Sequence, residues 1–209
     1  MKMLFLDSEG GHGGSSKSLF LMLKEFSKNK ENSINIICKK DSWIKDEYSK
    51  LGIQCKIFAN MPTYTILDKT SRNIFYFFYF FTYLLPKGFF FFKELKKNLK
   101  DYKIIHFNHI NQFIIAIWIK VFFSNLKVSM HIRTMPYNSF FARLQCLLVK
   151  KFINQLVFIT ENEYEYFCNL TKSKLIKKNI IFNSVSADKP NRNKYSEIKK
   201  KKFLIGCIS

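Results

Sequence analysis

Two side chains suited to phosphate chemistry stand at the end of an apolar run in this 209-residue chain. His131 lies near the end of the run Lys127–Ile132, and Arg133 follows that run directly. An arginine presents a fork of donors to phosphate oxygens, and a histidine near neutrality can donate to a reacting group. His131 and Arg133 are therefore the predicted catalytic residues. The plainer interpretation is a histidine at a loop mouth whose ring is satisfied by backbone groups.

A glycine-rich turn follows the first apolar run and leads into a predicted helix. The turn and the serines after it are the predicted substrate-binding residues Gly10, Gly11, Gly13, Gly14, Ser15 and Ser16. Free N–H groups and the helix dipole favour an anion at a helix N-terminus, and Lys17 adds a positive charge. A flexible strand-to-helix turn is the plainer alternative. Residues 11–18 also fit the phosphate-loop pattern G-x-x-x-x-G-K-[ST], except that Ser16 replaces the second glycine.

Three more polar residues, His106, Asn108 and His109, lie at the end of another apolar run and are also predicted to bind substrate. Histidines three positions apart are able to ligate a metal, but no cysteine or carboxylate stands near them at a matching spacing. Substrate contacts or simple packing are therefore favoured. We predict no metal site and no cofactor.

The elements that position these residues alternate along the chain between apolar runs of strand length and segments of helical period. Strands are predicted at 3–6, 34–38, 53–58, 103–107, 127–132, 156–159 and 180–182. Helices are predicted from Ser15 or Ser16 onward, and at 41–51, 71–99 with a break near 86–88, 112–123, 140–148 and 161–170. Such alternation predicts an α/β fold, a Rossmann-like doubly wound parallel sheet. Ligands of these sheets bind outside the carboxyl ends of the strands, where all three polar loops would converge.

Local signals refine three of the predicted helices. A serine hydroxyl at Ser15 or Ser16 is predicted to cap the first helix, and Asp41 is predicted to open the second. Helical spacing predicts two buried apolar stripes. They consist of Leu19, Met22, Leu23 and Phe26 in the first helix, and of Phe140, Phe141, Leu144, Leu147 and Leu148 in the helix after Arg133.

The composition is basic and aromatic, with 35 Lys+Arg against 15 Asp+Glu, a net charge of +20 and 24 Phe. The Phe-rich segment 74–92 is interrupted by Pro86-Lys87-Gly88, which argues against a membrane span. Phe and Tyr beside lysines are typical of a segment that lies on an anionic membrane surface. The basic residues in question are Lys93, Lys96, Lys97 and Lys100. A solvated basic face is the alternative, and nucleic acid is not expected because no recognition helix or RNA-binding motif is evident.

Five cysteines without a C-x-x-C pair predict reduced thiols and a cytoplasmic location, and the apolar start of the chain is too short for a signal peptide. Residues 1–186 are predicted to form one Rossmann-like domain. The polar, basic segment 187–202 has no apolar period and predicts a linker. Residues 203–209 then predict the first strand of a second domain that is truncated.

Six segments resemble, in order, the motifs of GT-B glycosyltransferases of the family-four group. They are the glycine turn 9–16 (G-G-x-x-x), the strand ends 104–108 (V-V-H-x-H, with Asn108 for the second histidine) and 128–131 (V-x-T-x-H), the segments 157–161 (V-x-x-x-S-E) and 180–185 (V-I-x-N-G-V-D, with Ser184 for the glycine), and the strand 203–206 that opens the second domain. The resemblance implies the N-terminal, acceptor-side half of such an enzyme, followed by the start of the other half.

What the resemblance implies for function is transfer of a sugar from a nucleotide-sugar donor to a lipid-linked or polysaccharide acceptor in cell-envelope glycan synthesis. The glycine turn would line the cleft beside the diphosphate and the acceptor, with His131 and Arg133 supporting transfer. The donor would sit mainly on the second domain, so this chain alone is expected to be inactive. The expected location is cytoplasmic, with peripheral contact to the inner face of the membrane. The alternatives are a non-catalytic module that binds membrane or a partner, and a nucleotide-binding protein of the phosphate-loop kind.

Overall fold

One parallel sheet organises the part of the chain that the computed structural model describes, residues 1–11, 13–64, 74–134, 138–174 and 178–181. The strand order is β3-β2-β1-β4-β5-β6, and every pairing is parallel. The strands are β1 (Lys2–Asp7), β2 (Ser33–Cys38), β3 (Gln54–Ile57), β4 (Ile104–Phe107), β5 (Lys127–Ile132) and β6 (Gln155–Phe158). The doubly wound α/β prediction is confirmed, with each of these strands within two residues of its predicted bounds.

Helices lie between successive strands, as parallel pairing requires. They are α1 (Gly14–Ser27), α2 (Trp43–Lys50), α3 (Ile74–Tyr79), α4 (Leu85–Lys96), α5 (Phe113–Phe122), α6 (Phe140–Phe152) and α7 (Glu161–Thr171). A π-helical segment, Phe80–Leu84, joins α3 to α4, and 3-10 turns at Leu99–Asp101 and Ile110–Gln112 precede β4 and α5.

The alternation of side chains along β1 divides the core between the two faces of the sheet. Met3 and Phe5 pack with the buried residues of α1 and α2, whereas Leu4 and Leu6 pack with those of α4 to α7. Both faces are therefore covered, which explains why β1 is apolar along its whole buried length.

The predicted helix caps are wrong for α1 and α2. Gly13 precedes α1 without a side-chain cap, because the hydroxyls of Ser15 and Ser16 donate instead to the carboxylates of Glu9 and Asp7. At α2 the cap is Ser42, whose side chain accepts from the backbone N–H of Ile44. A serine bonded to a carboxylate outside the helix leaves the first-turn N–H groups of α1 without that cap.

The break predicted near residues 86–88 lies earlier, in the π-helical segment Phe80–Leu84. Pro86 lies in the first turn of α4, and the helix continues through Gly88. Proline lacks the N–H that would bond the carbonyl of Thr82 and clashes with that carbonyl, so the irregular turn falls on its N-terminal side.

The predicted stripe of α6 is also wrong, because the helix faces the core with another side. Ala142, Gln145, Cys146 and Val149 are buried. Phe140 is 74% exposed, and Phe141, Leu144 and Leu147 are exposed with it, whereas Leu148 is partly buried against the core. In α1 the stripe holds at Leu19 and Leu23 but fails at its end, where Phe26 is exposed.

The last predicted strand is reduced to a single parallel bridge between Ile180 and Phe158 within the described residues. Residue 182 and the predicted linker and second-domain strand, 187–209, lie outside them. The four cysteines that are described, Cys38, Cys55, Cys146 and Cys168, form no disulfide.

Candidate functional site

The three polar loops meet at the carboxyl edge of the sheet, where side chains join them directly. Asn108, after β4, donates through Nδ2 to Asp7 Oδ1 at 3.2 Å and accepts through Oδ1 from Arg133 Nε at 3.0 Å. Asp7 ends β1 and Arg133 follows β5. Since both Asp7 and Asn108 are fully buried, one amide holds the ends of three strands in a fixed relation.

A second set of contacts ties the glycine turn to the loop after β4. His109 Nε2 lies 3.0 Å from Ser15 Oγ and 3.3 Å from Glu9 Oε1, and Ser15 also donates to the other oxygen of Glu9. Ser16 donates to Asp7 Oδ2 at 2.6 Å. Burial lowers the pKa of His109 although Glu9 and Asp7 oppose that shift.

The two remaining histidines of the site form a buried pair across neighbouring strands. His106 Nε2 lies 3.1 Å from His131 Nδ1, and His106 Nδ1 lies 2.8 Å from Ser129 Oγ. The ring centroids are 5.0 Å apart and the planes are almost perpendicular, at 89°. Burial lowers the pKa of His106 to about 3 and that of His131 to about 2, with Arg133 adding to both shifts. Both rings are therefore neutral at pH 7. His131 can donate one N–H hydrogen bond, but it does not carry the second, acidic proton of an imidazolium.

Arg133 is the cation of the site and is partly buried beside three carboxylates. Burial lowers the pKa of its guanidinium, and Asp7, Glu9 and Glu163 raise it in turn. An arginine remains charged in such a setting. Its Nε is bonded to Asn108, and one NH2 lies 3.5 Å from His131 Nδ1.

The glycine turn is divided between a packed part and an open part. Gly10 and Gly11 are buried with positive φ, and a Cβ on them would lie 2.8 Å from Lys40 N and 2.2 Å from Ser42 Oγ. These two glycines therefore fit the turn against the start of α2. Gly13 and Gly14 are exposed, and a Cβ on Gly14 would meet no atom within 4 Å.

The phosphate-loop alternative is not favoured by this geometry. Ser16, which stands where that pattern has its second glycine, is buried inside the first turn of α1 and bonded to Asp7. The packed glycines, Gly10 and Gly11, contact protein atoms where the pattern needs backbone free to surround phosphates.

Sequence reasoning missed two members of the site, Asp7 as its buried acceptor and Ser129 as the partner of His106. The signal for Ser129 was present, because it precedes His131 by two residues in a strand and so lies on the same face of the sheet. Asp7 stands directly after an apolar strand, but the sequence contains no trace of its bond to a residue 101 positions away. Among the described residues, no group of three or more His, Cys, Asp or Glu is arranged to hold a metal ion.

Comparison with known proteins shows likeness in structure alone. No family model and no curated protein matches the chain in sequence. HepE of Anabaena, crystallised with UDP and glucose, matches with a TM-score of 0.62 at 16% identity, over 88% of this chain and 45% of HepE. MurG of Acinetobacter baumannii matches at 0.52 and 9% identity, over 88% of this chain and 47% of MurG. The trehalose-6-phosphate phosphatase N-terminal domain of Candida albicans matches with a TM-score of 0.53 at 12% identity, over 95% of this chain and 54% of the other chain.

These identities show the fold alone. HepE and MurG are GT-B glycosyltransferases, and this chain spans less than half the length of either. The described sheet is thus the Rossmann-like N-terminal half of a GT-B fold.

Proposed function

We propose that this chain is the acceptor-side half of a glycosyltransferase of the family-four type. It acts in transfer of a sugar from a nucleotide-sugar donor to a lipid-linked or polysaccharide acceptor in cell-envelope glycan synthesis. The observation that carries the proposal is the junction of Asp7, Asn108 and Arg133. It brings a guanidinium, a histidine N–H and an uncapped helix N-terminus to the edge of the sheet where such folds take their ligands.

Each group at this edge has a part in stabilising charge on a leaving diphosphate. Arg133 supplies a permanent positive charge, and the first-turn N–H groups of α1 beside Gly13 and Gly14 supply an anion-binding end. Lys17, exposed in the same turn, adds a second cation. His131 donates an N–H from a neutral ring. Such preorganised donors stabilise charge without a metal ion. A second lobe, which residues 203–209 would begin, carries most of the donor contacts.

An anionic membrane surface is the proposed partner of the α3–α4 region, which would place the protein on the cytoplasmic side of the membrane, close to a lipid-linked acceptor. Aromatic side chains on this region are exposed, namely Phe75, Phe78, Tyr79, Phe81, Tyr83, Phe89 and Phe90. The exposed lysines Lys93, Lys96, Lys97 and Lys100 follow them. Aromatic rings inserted at the headgroup level beside lysines suit an anionic interface. Within the described residues, none of the helices has the length and apolar character to cross a bilayer.

The test of transfer uses the protein from the full reading frame that contains residues 1–209, together with any donor-side lobe that this frame encodes. Radiolabelled nucleotide sugars are supplied with a membrane lipid extract, and incorporation into lipid or polymer is measured. Arg133→Ala should lower kcat about 100-fold to 1,000-fold, the loss expected when one preorganised donor to developing charge is removed. Arg133→Lys should recover only part of that loss, because lysine keeps the charge without the fork.

The matched control is Arg143→Ala, since Arg143 is an exposed arginine on α6 that bonds Asn138. Its rate should equal that of the wild type. Circular dichroism of each variant separates loss of chemistry from loss of fold. Equal transfer by wild type and folded Arg133→Ala would remove Arg133 from the site. Membrane binding by the wild type without any transfer would favour a non-catalytic module instead.

A further inference from the structure

We propose that Arg133 and His106 hold His131 in the tautomer with its proton on Nε2, and that Ser129 is a positioning residue that orients the ring of His106. His131 then meets its substrate only as a hydrogen-bond donor. The tautomer is a property of the chain without substrate. That the His131 Nε2–H donates to a sugar or phosphate oxygen rests on the proposed function.

The register of the sheet places these three side chains in a row. His106 of β4 pairs with Ser129 of β5, and His131 lies two residues further along the same strand. Side chains alternate between faces, so Ser129 and His131 are on the same face of β5, Ser129 level with His106 and His131 two residues further on. The ring of His106 spans them, with Nδ1 2.8 Å from the serine and Nε2 3.1 Å from His131.

Arg133 decides in which direction this row of hydrogen bonds runs. A guanidinium can only donate, and one NH2 of Arg133 lies 3.5 Å from His131 Nδ1. A proton on Nδ1 would point at a positive N–H group and be repelled. Nδ1 therefore accepts, and the single proton of the neutral His131 ring is on Nε2.

The remaining protons follow from that assignment. Because His131 Nδ1 accepts, His106 Nε2 carries the proton and donates it, which leaves His106 Nδ1 to accept from the hydroxyl of Ser129. In this row Ser129 donates to His106, and His106 donates to His131. His131 Nε2 has no hydrogen-bond partner among the residues that the structure describes, so its N–H is the end of the row available to a ligand.

The surrounding charges favour neutral rings, which the row requires. Burial and then Arg133 disfavour protonation of both histidines, and His106 and His109 add to the effect on His131. The carboxylates of this edge, Asp7 and Glu9, are bonded to Ser16, Asn108 and Ser15. A row of neutral donors and acceptors is the arrangement that these neighbours stabilise.

The test is a two-dimensional nitrogen–proton NMR experiment on the chain labelled with ¹⁵N-histidine at pH 7. The two nitrogens of a neutral imidazole have well-separated shifts, so the spectrum reports which one is protonated. The chain has four histidines, and single His→Asn variants assign the signals. Both His106 and His131 should carry the proton on Nε2. A proton on Nδ1 of His131, or an imidazolium at pH 7, would overturn the proposal.

Variants of Arg133 and Ser129 test what each contributes to the row. Arg133→Met should give a mixture of tautomers at His131 and His106, because it removes the positive donor beside His131 Nδ1. Ser129→Ala should shift the His106 signals while the proton stays on Nε2, and Ser129→Thr, which keeps a hydroxyl, should restore them. Ser33→Ala, at an exposed position that begins β2, is the matched control and should leave the spectrum unchanged. An unchanged His106 spectrum in Ser129→Ala would contradict the role of Ser129.

Transfer kinetics separate this proposal from the proposed function. In the two-lobed enzyme, Ser129→Ala should lower kcat roughly 10-fold to 100-fold, the range found when the partner of a metal-ligating histidine is removed, and Ser129→Thr should recover it. A wild type that transfers no sugar contradicts the proposed function but leaves the tautomer result standing. Shifted His106 signals with full kcat in Ser129→Ala contradict only the positioning role of Ser129.

Discussion

At the scale of residues, the site consists of buried polar groups that satisfy one another. Asp7 accepts from Ser16, Asn108 and the backbone N–H of Glu9, so its buried carboxylate has three donors. An unpaired carboxylate at this depth would cost several kcal/mol. The network therefore explains both how these residues are tolerated and why the strand ends keep a single arrangement.

Acid should destabilise the protein through its buried histidines. The unfolded chain binds a proton at each histidine near pH 6.5, whereas the folded pKa is about 3 for His106 and about 2 for His131. Stability is then highest above pH 6.5 and is lost as the pH falls towards the folded values. Each histidine should contribute a loss of about 1.4 kcal/mol per pH unit. Urea unfolding at pH 7.5, 6.5, 5.5 and 4.5 measures it.

The control for this prediction is His106→Gln, which keeps a polar side chain but does not titrate. Its unfolding free energy should fall less steeply than that of the wild type as the pH is lowered. The two slopes should differ by about 1.4 kcal/mol per pH unit. His109, whose pKa is also lowered, continues to contribute in both proteins. Parallel pH profiles for wild type and variant would mean that His106 is not held neutral by the fold.

At the scale of elements, α4 shows how one glycine admits a neighbouring ring. Gly88 is buried near the start of α4, and a Cβ on it would lie 1.8 Å from Tyr64 Oη and 3.1 Å from Tyr64 Cζ. Tyr64 is fully buried, and its hydroxyl lies 3.4 Å from the carbonyl of Leu84. The close approach of helix and tyrosine therefore depends on the missing methyl group.

Gly88→Ala should destabilise the protein by about 1 to 3 kcal/mol, the usual cost of overpacking. In an open helix the same change stabilises by about 1 kcal/mol. Adding Tyr64→Phe to Gly88→Ala should return part of the loss, because it removes the atom in closest contact. Gly14→Ala, in the first turn of α1 with open space around it, is the matched control and should not destabilise. Thermal unfolding followed by circular dichroism compares the four proteins.

The exposed stripe of α6 shows what an amphipathic pattern can and cannot determine. Phe140, Leu144 and Leu147 have the period of a buried face, yet the smaller residues Ala142 and Cys146 pack against the core. The neighbours α5 and α7 lie close to α6, and a close approach favours small side chains. Periodicity identified the helix correctly, but the choice of face came from the space between elements.

At the scale of the whole molecule, charge and exposed aromatic residues combine. The net charge is +20, and α4 carries exposed Phe89 and Phe90 in the helix that also contains Lys93. The other face of the sheet is covered by α1 and α2. If α3–α4 contacts the membrane, α1 lies on the opposite face of the sheet, and a variant of α1 can serve as the control.

Binding to vesicles should depend on lipid charge and on the face that carries α4. The chain should sediment with phosphatidylglycerol vesicles, and less with phosphatidylcholine vesicles or at high salt. Replacing Lys93 and Lys100 together by glutamine should weaken binding roughly 30-fold, at about 1 kcal/mol per lysine. Phe89→Glu with Phe90→Glu should abolish it, because charges replace the inserted rings.

Phe26→Glu is the matched control, since Phe26 is an exposed phenylalanine on α1. It should bind phosphatidylglycerol vesicles as the wild type does. Equal losses for the α1 and α4 variants would mean that the net charge alone drives adsorption. Binding that ignores lipid charge would contradict the role of the lysines.

Local residue patterns were sufficient to predict the order of strands and helices and the three polar loops. Apolar period and turn residues are local, and β1 or β5 can be recognised without knowing its neighbours. The sequence also indicated His131 and Arg133, because they stand at a strand end. The convergence of the loops followed from the rule for parallel sheets, and the structure confirms that they meet.

Which atoms meet and which faces are buried depends on the packing of separate elements. The hydrogen bond between Asp7 and Asn108 joins residues 101 positions apart. Ser129 lies beside His106 because of the register between β4 and β5. Gly10 and Gly11 have no room for a Cβ because Lys40 and Ser42, between β2 and α2, pack against them. Each of these contacts depends on the distance between separate elements, and no local pattern of residue types records that distance.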